Sequence, residues 1–197
     1  MRKELVYLEM PKVASGSVKK ALKYKKAKCI THDIRNSNYL SLVEYMRVDA
    51  HKKFAFTFVR NPWDRLVSAF YYLNKGGIKP EDKYDFEKYL KKYEGDFTLF
   101  VHEGFKTDEI FEQMHFRPQF QWITDDKGMQ VTDFIGKYET LQVDFDYVLK
   151  KNWRFKKKLG VTKRGKHSYY KEVYTPETRE IVAKAYGKDI ELFNYVF

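Results

Sequence analysis

Two polar side chains, Arg60 and Ser68, have the types and the spacing to bind one phosphate group together. An arginine guanidinium donates in a planar fork that matches two phosphate oxygens, and a serine hydroxyl adds a donor. Residues 54–59 are apolar and β-favouring, which predicts a strand buried on both faces of a parallel sheet. Because such sheets bind ligands at the carboxyl ends of their strands, we expect a ligand site at Arg60. The alternatives are a surface ion pair for Arg60 and a hydroxyl of Ser68 bonded to its own helical turn.

A second candidate anion site is the loop of residues 11–17, which lies between an apolar segment and a predicted helix. The start of a helix offers unpaired N–H groups and a positive dipole end to an anion. Gly16 permits close approach of the backbone, Ser15 and Ser17 add hydroxyl donors, and Lys12 adds an ammonium. Since Lys12 precedes the turn instead of following its glycine, the order disfavours the usual nucleotide-triphosphate loop. A serine-rich turn that only caps the helix is the alternative.

These residues must be positioned by strands that alternate with helices. Apolar patterning predicts strands at residues 5–10, 27–31, 54–59 and 131–135. It predicts helices that include residues 40–46, 63–70, 84–93 and 181–185, and one that begins near Val18. Asn61 and Pro62 have the residue types of a helix N-cap and a first helical position. The pattern indicates a single α/β domain over residues 1–197, with a central, mainly parallel sheet flanked by helices.

The composition favours an anionic partner or ligand. The chain has 38 Lys and Arg residues against 27 Asp and Glu residues, a formal net charge of +11. Cys29 is the only cysteine, which excludes an internal disulfide, and we expect it to be a buried, inert thiol. We find neither a membrane-spanning apolar run nor a signal peptide, so we expect a cytoplasmic protein without a membrane partner.

Two segments resemble motifs of the sulfotransferases, specifically the branch of carbohydrate sulfotransferases and their bacterial relatives. The sequence PKVASGS of residues 11–17 resembles the 5′-phosphosulfate loop, and FTFVRNPWDRLVSAF of residues 56–70 closely resembles the 3′-phosphate motif. Weaker similarity covers residues 115–119, 133–139 and 174–193. The resemblance implies a P-loop-like, three-layer α/β fold without a metal. It also implies sulfuryl transfer from 3′-phosphoadenosine-5′-phosphosulfate (PAPS) to a hydroxyl or amine, which leaves the desulfonated product nucleotide (PAP).

The resemblance also implies roles for individual residues. Lys12 would bind the 5′-phosphosulfate and stabilise the bridging oxygen as the bond to sulfur breaks, and Arg60 and Ser68 would bind the 3′-phosphate. Gly16 stands where Thr or Ser is common in the family, so one phosphate contact would come from the backbone alone. The remaining nucleotide contacts would come from the phosphosulfate loop and from a basic loop at residues 163–167, through Val13, Ala14, Ser15, Ser17, Arg164, Gly165 and Lys166.

Transfer to a hydroxyl needs a general base, for which histidine is suited near neutral pH. His32 follows a predicted strand at a place where some carbohydrate sulfotransferases carry a catalytic histidine, and we expect it to be the base. His115, in the motif-like segment HFRPQ, is the alternative, and a carboxylate such as Asp33 or Glu44 is a third choice.

Three other functions are alternatives to sulfuryl transfer. A basic nucleic-acid-binding domain would suit the charge and the 18% aromatic content, but most of the aromatic residues recur at core spacing, so no nucleic-acid partner is expected. A P-loop kinase would need ATP and Mg²⁺ and the missing Lys-Ser or Lys-Thr. A sulfotransferase-like protein could bind the nucleotide without transferring sulfate. The expected acceptor is a carbohydrate or another small hydroxyl compound. The positive net charge of the chain is compatible with an acidic acceptor. The oligomeric state stays open.

Overall fold

The computed structural model describes residues 3–22, 28–30, 48–125, 127–153, 158–160 and 170–197. The chain divides into two compact units. The first comprises Met1–Arg60 and Gln121–Lys163, and the second comprises Asn61–Phe120 and Arg164–Phe197. One domain over residues 1–197 stays a prediction. Within the described part of the chain, no helix is both long enough and apolar enough to cross a membrane.

The described residues form four strands and eight α-helices. The strands are β1 Glu4–Leu8, β2 Lys28–Ile30, β3 Lys53–Val59 and β4 Phe134–Lys137. The α-helices are α1 Ser15–Leu22, α2 Pro62–Asn74, α3 Pro80–Asp85, α4 Phe97–Gly104, α5 Phe120–Ile123, α6 Leu141–Trp153, α7 Pro176–Ala185 and α8 Gly187–Phe193. A π-helical turn covers Phe86–Leu90, and 3₁₀ turns cover Ala50–Lys52, Lys91–Tyr93, Asp108–Glu112, Tyr138–Thr140 and Tyr170–Val173.

The four strands of the first unit form one parallel sheet in the order β2-β1-β3-β4. The inner strands β1 and β3 are almost fully buried, as their apolar sequences predict. The predicted α/β class with a central parallel sheet is therefore confirmed. At the carboxyl edge, Val59 of β3 pairs with Lys137 of β4, so these two strands end level with each other.

Aromatic residues and one glycine set the packing of this sheet. The ring of Tyr7 stacks on Phe56 at 5.3 Å between centroids, and both side chains are fully buried. Helix α6 packs against β4, where Gly136 lies close to the ring of Phe58. A Cβ added at Gly136 would lie 2.6 Å from Phe58 Cδ1 and 2.9 Å from the Cβ of Asp144. Glycine is required there because the strand and the helix approach so closely.

Strand β4 begins later than the apolar pattern predicts, at Phe134 instead of Val131. The Asp133 side chain accepts a hydrogen bond from the N–H of Ala55 at 2.8 Å, and its own N–H donates to the carbonyl of Ala55. This pair of bonds fixes the point at which the strand starts. Such a long-range contact leaves no trace in the local apolar pattern.

The second unit has an aromatic core. Buried rings on α2 and α4 pack together, with Phe70 and Phe100 stacked at 5.0 Å between centroids. Helix α2 begins as predicted, since the Asn61 side chain accepts a hydrogen bond from the N–H of Trp63 at 3.1 Å and Pro62 occupies the first turn. The predicted helix at residues 84–93 is instead divided among α3, the π-helical turn and a 3₁₀ turn. The predicted helix at residues 40–46 lies outside the described residues.

Candidate functional site

The loop between β1 and α1 has a backbone suited to an anion. Lys12 and Ala14 adopt left-handed conformations, with φ of 67° and 62°, whereas Val13 and Ser15 do not. Such alternation turns successive N–H groups toward one side and forms a concavity for anions. Non-glycine residues with positive φ are strained and concentrate at functional sites. The conformation therefore agrees with an anion site at the predicted phosphosulfate loop.

The N–H groups at the start of α1 strengthen this interpretation. Those of residues 13–16 donate to no acceptor in the described part of the chain, whereas the N–H of Ser17 donates to the Ala14 carbonyl at 2.9 Å. Unsatisfied donors at the positive end of a helix dipole attract phosphate. The backbone of this loop can thus bind an anion without any side chain.

The two serine hydroxyls of the loop have acceptors within the protein. Ser15 Oγ donates to the carbonyl of Met10 at 2.6 Å, and Ser17 Oγ donates to the carbonyl of Gly160 at 3.1 Å. Each hydroxyl has only one proton to donate, so binding a phosphate through it requires rotation away from that carbonyl. The backbone N–H groups of residues 13–16 can bind an anion without such a rotation.

Gly16 leaves open space beside this loop. A Cβ built at Gly16 has no atom within 4 Å, and its φ is negative. No close approach within the described residues therefore requires a glycine here. A side chain with a hydroxyl fits at this position sterically. A substitution can therefore test how the missing hydroxyl affects anion binding.

Arg60 lies beside this loop. Its Nη1 donates a hydrogen bond to the carbonyl oxygen of Lys12 at 3.1 Å, and both residues are half-buried. The structure thus places the arginine of the predicted 3′-phosphate motif against the backbone of the predicted 5′ loop. Both belong to the first unit, at the carboxyl edge of its sheet, where parallel α/β sheets bind ligands.

Tyr138 is a residue of this site that the sequence reasoning did not identify. The Arg60 Cζ atom lies 4.3 Å from the centroid of the Tyr138 ring. Tyr138 follows β4 directly and Arg60 follows β3 directly, so the level ends of these strands place the two residues side by side. The signal available in the sequence was the position of Tyr138 in the motif-like segment 133–139.

A second group of titratable residues lies just after β1 and on β2 and α1. The Glu9 side chain, 6% exposed, forms an ion pair with Lys19 at 2.8 Å. Burial, followed by the charge of Glu9, raises the pKa of the Cys29 thiol. A raised pKa disfavours the reactive thiolate and agrees with the predicted inert thiol, although Cys29 is half-buried instead of fully buried.

Ser68 lies on helix α2 in the second unit and is half-buried. Its part in a phosphate site stays a prediction that rests on the sequence motif.

His115 is buried in the second unit, with 6% of its surface exposed. The Gln113 amide nitrogen lies 3.0 Å from Asp85 Oδ2 and 3.0 Å from His115 Nδ1, and its amide oxygen accepts the N–H of His115. Because the amide nitrogen only donates, Nδ1 accepts, and a neutral imidazole has its proton on Nε2. In that tautomer neither nitrogen offers a lone pair to an acceptor hydroxyl, which weighs against His115 as the base.

Buried polar side chains anchor the backbone that follows His115. The Asp189 carboxylate accepts the N–H groups of Gln119 and Phe120, each at 2.7 Å. The Arg65 guanidinium donates to the carbonyl of Arg117 at 3.0 Å. These contacts assign a structural role to Arg65 and Asp189, which lie in two of the motif-like segments.

Several predicted site residues lie outside the described residues. They are the expected base His32, the alternative carboxylates Asp33 and Glu44, and the basic-loop residues Arg164, Gly165 and Lys166. Their roles stay predictions.

Comparison of the whole sequence with known protein families supports the same interpretation as the geometry of the loop. The model of the sulfotransferase family, "Sulfotransfer_2", matches residues 1–196. The chain therefore belongs to the sulfotransferase family.

Two known proteins are similar in sequence. Carbohydrate sulfotransferase 14 of Danio rerio is 27% identical over 227 aligned residues, which cover 96% of this chain and 59% of that protein. An uncharacterized protein of Archaeoglobus fulgidus is 32% identical over 98 residues, covering 49% of this chain and 64% of that protein. Each match thus spans about three fifths of the relative's length. No solved structure matches the chain significantly.

Proposed function

We propose that the protein transfers a sulfuryl group from PAPS to a hydroxyl or amine of an acceptor by in-line displacement. The observation that carries the proposal is the loop of residues 11–17. Its N–H groups at residues 13–16 donate to no acceptor in the described part of the chain, and its Lys12 carbonyl accepts a hydrogen bond from Arg60. The sulfotransferase family model matches residues 1–196 of the chain, which include this loop.

In this proposal the N–H groups of residues 13–16 and the ammonium of Lys12 bind the 5′-phosphosulfate. As the bond from sulfur to the bridging oxygen breaks, negative charge grows on the departing phosphate. A cation already positioned at that oxygen stabilises the transition state more than the ground state. Lys12 therefore contributes to the rate as well as to binding.

The 3′-phosphate distinguishes PAPS from other adenine nucleotides, and we assign its binding to Arg60. A guanidinium can donate two parallel hydrogen bonds to one phosphate. Ser68 and the basic loop with Arg164, Gly165 and Lys166 are assigned to the same phosphate on the family resemblance.

We assign the general base to His32, again on the resemblance. The tautomer of His115 supports this choice over the alternative histidine. The carboxylates Asp33 and Glu44 are the next candidates. Exchange of His32 for alanine should abolish transfer and leave nucleotide binding intact.

The distribution of charge supports an acidic carbohydrate acceptor. The second unit holds 15 of the 38 Lys and Arg residues and 16 of the 27 Asp and Glu residues, a net charge of −1. The remaining 23 basic and 11 acidic residues give the first unit a net charge of +12. A field of this sign attracts anionic ligands to the unit that carries the phosphosulfate loop. The similarity to a carbohydrate sulfotransferase supports the carbohydrate part of the proposal.

Nucleotide binding without transfer is the second candidate function. It is favoured by Gly16 and by the serine hydroxyls that donate to carbonyl oxygens, since both reduce the side-chain donors for a phosphosulfate. Transfer from labelled PAPS to a glycan panel separates the two candidates.

Thermal unfolding with added nucleotide tests the proposal. PAP should raise the melting temperature of the wild type, because a ligand stabilises the folded state that binds it. Lys12→Ala and Arg60→Ala should reduce the shift. Lys20→Ala is the matched control, since Lys20 is an exposed lysine on α1 beyond the loop, and it should keep the full shift. Equal shifts with PAP and with ATP and Mg²⁺, or none with PAP, would contradict the proposal.

A further inference from the structure

We propose that Tyr138 is a positioning residue, whose ring face holds the Arg60 guanidinium in the orientation that binds the 3′-phosphate. The inference rests on the function proposed above. The Arg60 Cζ atom lies 4.3 Å from the centroid of the Tyr138 ring. A cation at this distance is attracted by the negative face of the ring.

The sheet register brings the two residues together. Val59 and Lys137 are paired across β3 and β4, and Arg60 and Tyr138 are the next residue of each strand. Neighbouring parallel strands lie about 4.8 Å apart, a spacing at which such adjacent side chains can meet. The contact therefore depends on the sheet itself and not on a long loop.

Asp144 stabilises the turn that contains Tyr138 through two hydrogen bonds. The Asp144 Oδ2 atom accepts the N–H of Lys137 at 2.7 Å and the hydroxyl of Thr140 at 2.6 Å. These bonds hold the residues on either side of Tyr138. Gly136 allows helix α6, which carries Asp144, to approach the strand this closely. The backbone that carries the Tyr138 ring is thus held in place by these hydrogen bonds.

Arg60 is constrained on two sides as a result. The Lys12 carbonyl accepts a hydrogen bond from one terminal nitrogen, and Cζ lies over the Tyr138 ring. A freely rotating arginine side chain has about 2 kcal/mol of rotamer entropy to lose on binding. Restricting it before binding lowers the entropic cost of binding a phosphate. Tyr138 acts through its ring face in this role, so its hydroxyl is dispensable.

Calorimetric titration of Tyr138 variants with two nucleotides tests the proposal. Tyr138→Leu should weaken PAP binding by roughly 3- to 30-fold, while binding of AMP, which lacks the 3′-phosphate, changes by less than about 2-fold. Tyr138→Phe should bind both nucleotides like the wild type. If Tyr138→Leu fails to fold, Tyr138→Gln removes the ring with a polar side chain. Equal losses for PAP and AMP, or unchanged PAP binding, would overturn the positioning role.

A double-mutant cycle separates this role from a merely structural one. If Tyr138 acts through Arg60, Tyr138→Leu should have no further effect on PAP binding in an Arg60→Ala background. Additive losses would overturn the proposal. Failure of the wild type to bind PAP would overturn the proposed function itself, whereas normal PAP binding with an additive cycle would overturn only the role of Tyr138.

Discussion

The Arg60 guanidinium donates a hydrogen bond to the main-chain carbonyl oxygen of Lys12, with 3.1 Å between Nη1 and the oxygen. This bond links the residue assigned to the 3′-phosphate to the backbone of the loop assigned to the 5′-phosphosulfate. Lys12 has a left-handed backbone, which is strained and needs support from its surroundings. Arg60 therefore supports the 5′ loop in addition to its proposed role in binding phosphate.

This link predicts that Arg60→Ala affects both ends of the nucleotide. PAP affinity should fall roughly 10- to 100-fold through loss of the charged hydrogen bonds. AMP affinity should also fall, by about 2- to 10-fold, because the Lys12 carbonyl loses its donor. Titration calorimetry measures both constants. Unchanged AMP binding would show that the bond does not support the 5′ loop.

Introducing a hydroxyl at position 16 should strengthen nucleotide binding. Gly16→Ser adds a donor where a Cβ meets no atom within 4 Å, so the affinity for PAP should rise about 2- to 10-fold. Gly16→Ala is the matched control, since it adds the Cβ without the hydroxyl and should leave affinity nearly unchanged. An equal gain in both variants would assign the effect to the helix backbone and refute a role for the hydroxyl.

Two glycines that follow helix α2 should respond differently to alanine. Gly77 has φ of 62°, and its Cβ would overlap the side chain of buried Asp82. Gly76 has φ of 82° with open space around it. Gly77→Ala should lower the free energy of unfolding by about 2 to 4 kcal/mol and Gly76→Ala by about 1 to 2 kcal/mol. Urea unfolding provides the comparison, and equal losses would argue against the close contact with Asp82.

Asp82 should make the protein less stable in acid. Burial by itself raises the pKa of this carboxyl, but hydrogen bonds from the Tyr72 hydroxyl and from two backbone N–H groups outweigh it and lower the pKa below its usual value. A pKa that is lower in the folded state stabilises the protein above the unfolded-state pKa. That stabilisation is lost as the pH falls through the folded-state pKa.

The test compares Asp82→Asn with the wild type in urea at about pH 6 and about pH 3. Both proteins lose stability as other carboxyls titrate, but the wild type should lose more, because only it has the carboxylate of Asp82. At the higher pH the variant should be less stable by about 1 to 3 kcal/mol. The same pH dependence in both proteins would contradict the stabilising role of the ionised carboxylate.

Features that depend on local sequence could be predicted well. The buried strands β1 and β3 follow from continuous apolar runs, and the start of α2 follows from Asn61 and Pro62. Their positions at the edge of a parallel sheet explain why Lys12 and Arg60 could be selected as site residues. These features need no knowledge of distant parts of the chain.

Features that depend on tertiary contacts could not be predicted. The start of β4 is set by the bonds of Asp133 to Ala55, and the ring of Tyr138 meets Arg60 only because β3 and β4 end level. The hydroxyls of Ser15 and Ser17 suggest phosphate donors in the sequence, yet each donates to a carbonyl oxygen. In each case the missing information is a partner distant in sequence or a competing acceptor.

Transfer of label from radiolabelled PAPS to a panel of acidic and neutral glycans tests the central claim most directly. The wild type should produce a labelled glycan at a rate that depends on PAPS. Lys12→Ala should reduce that rate by about 100-fold or more, through loss of the cation at the departing phosphate, while Lys20→Ala retains it. A wild-type protein that binds PAP but labels no acceptor, or a Lys12→Ala variant with undiminished transfer, would contradict the proposed mechanism.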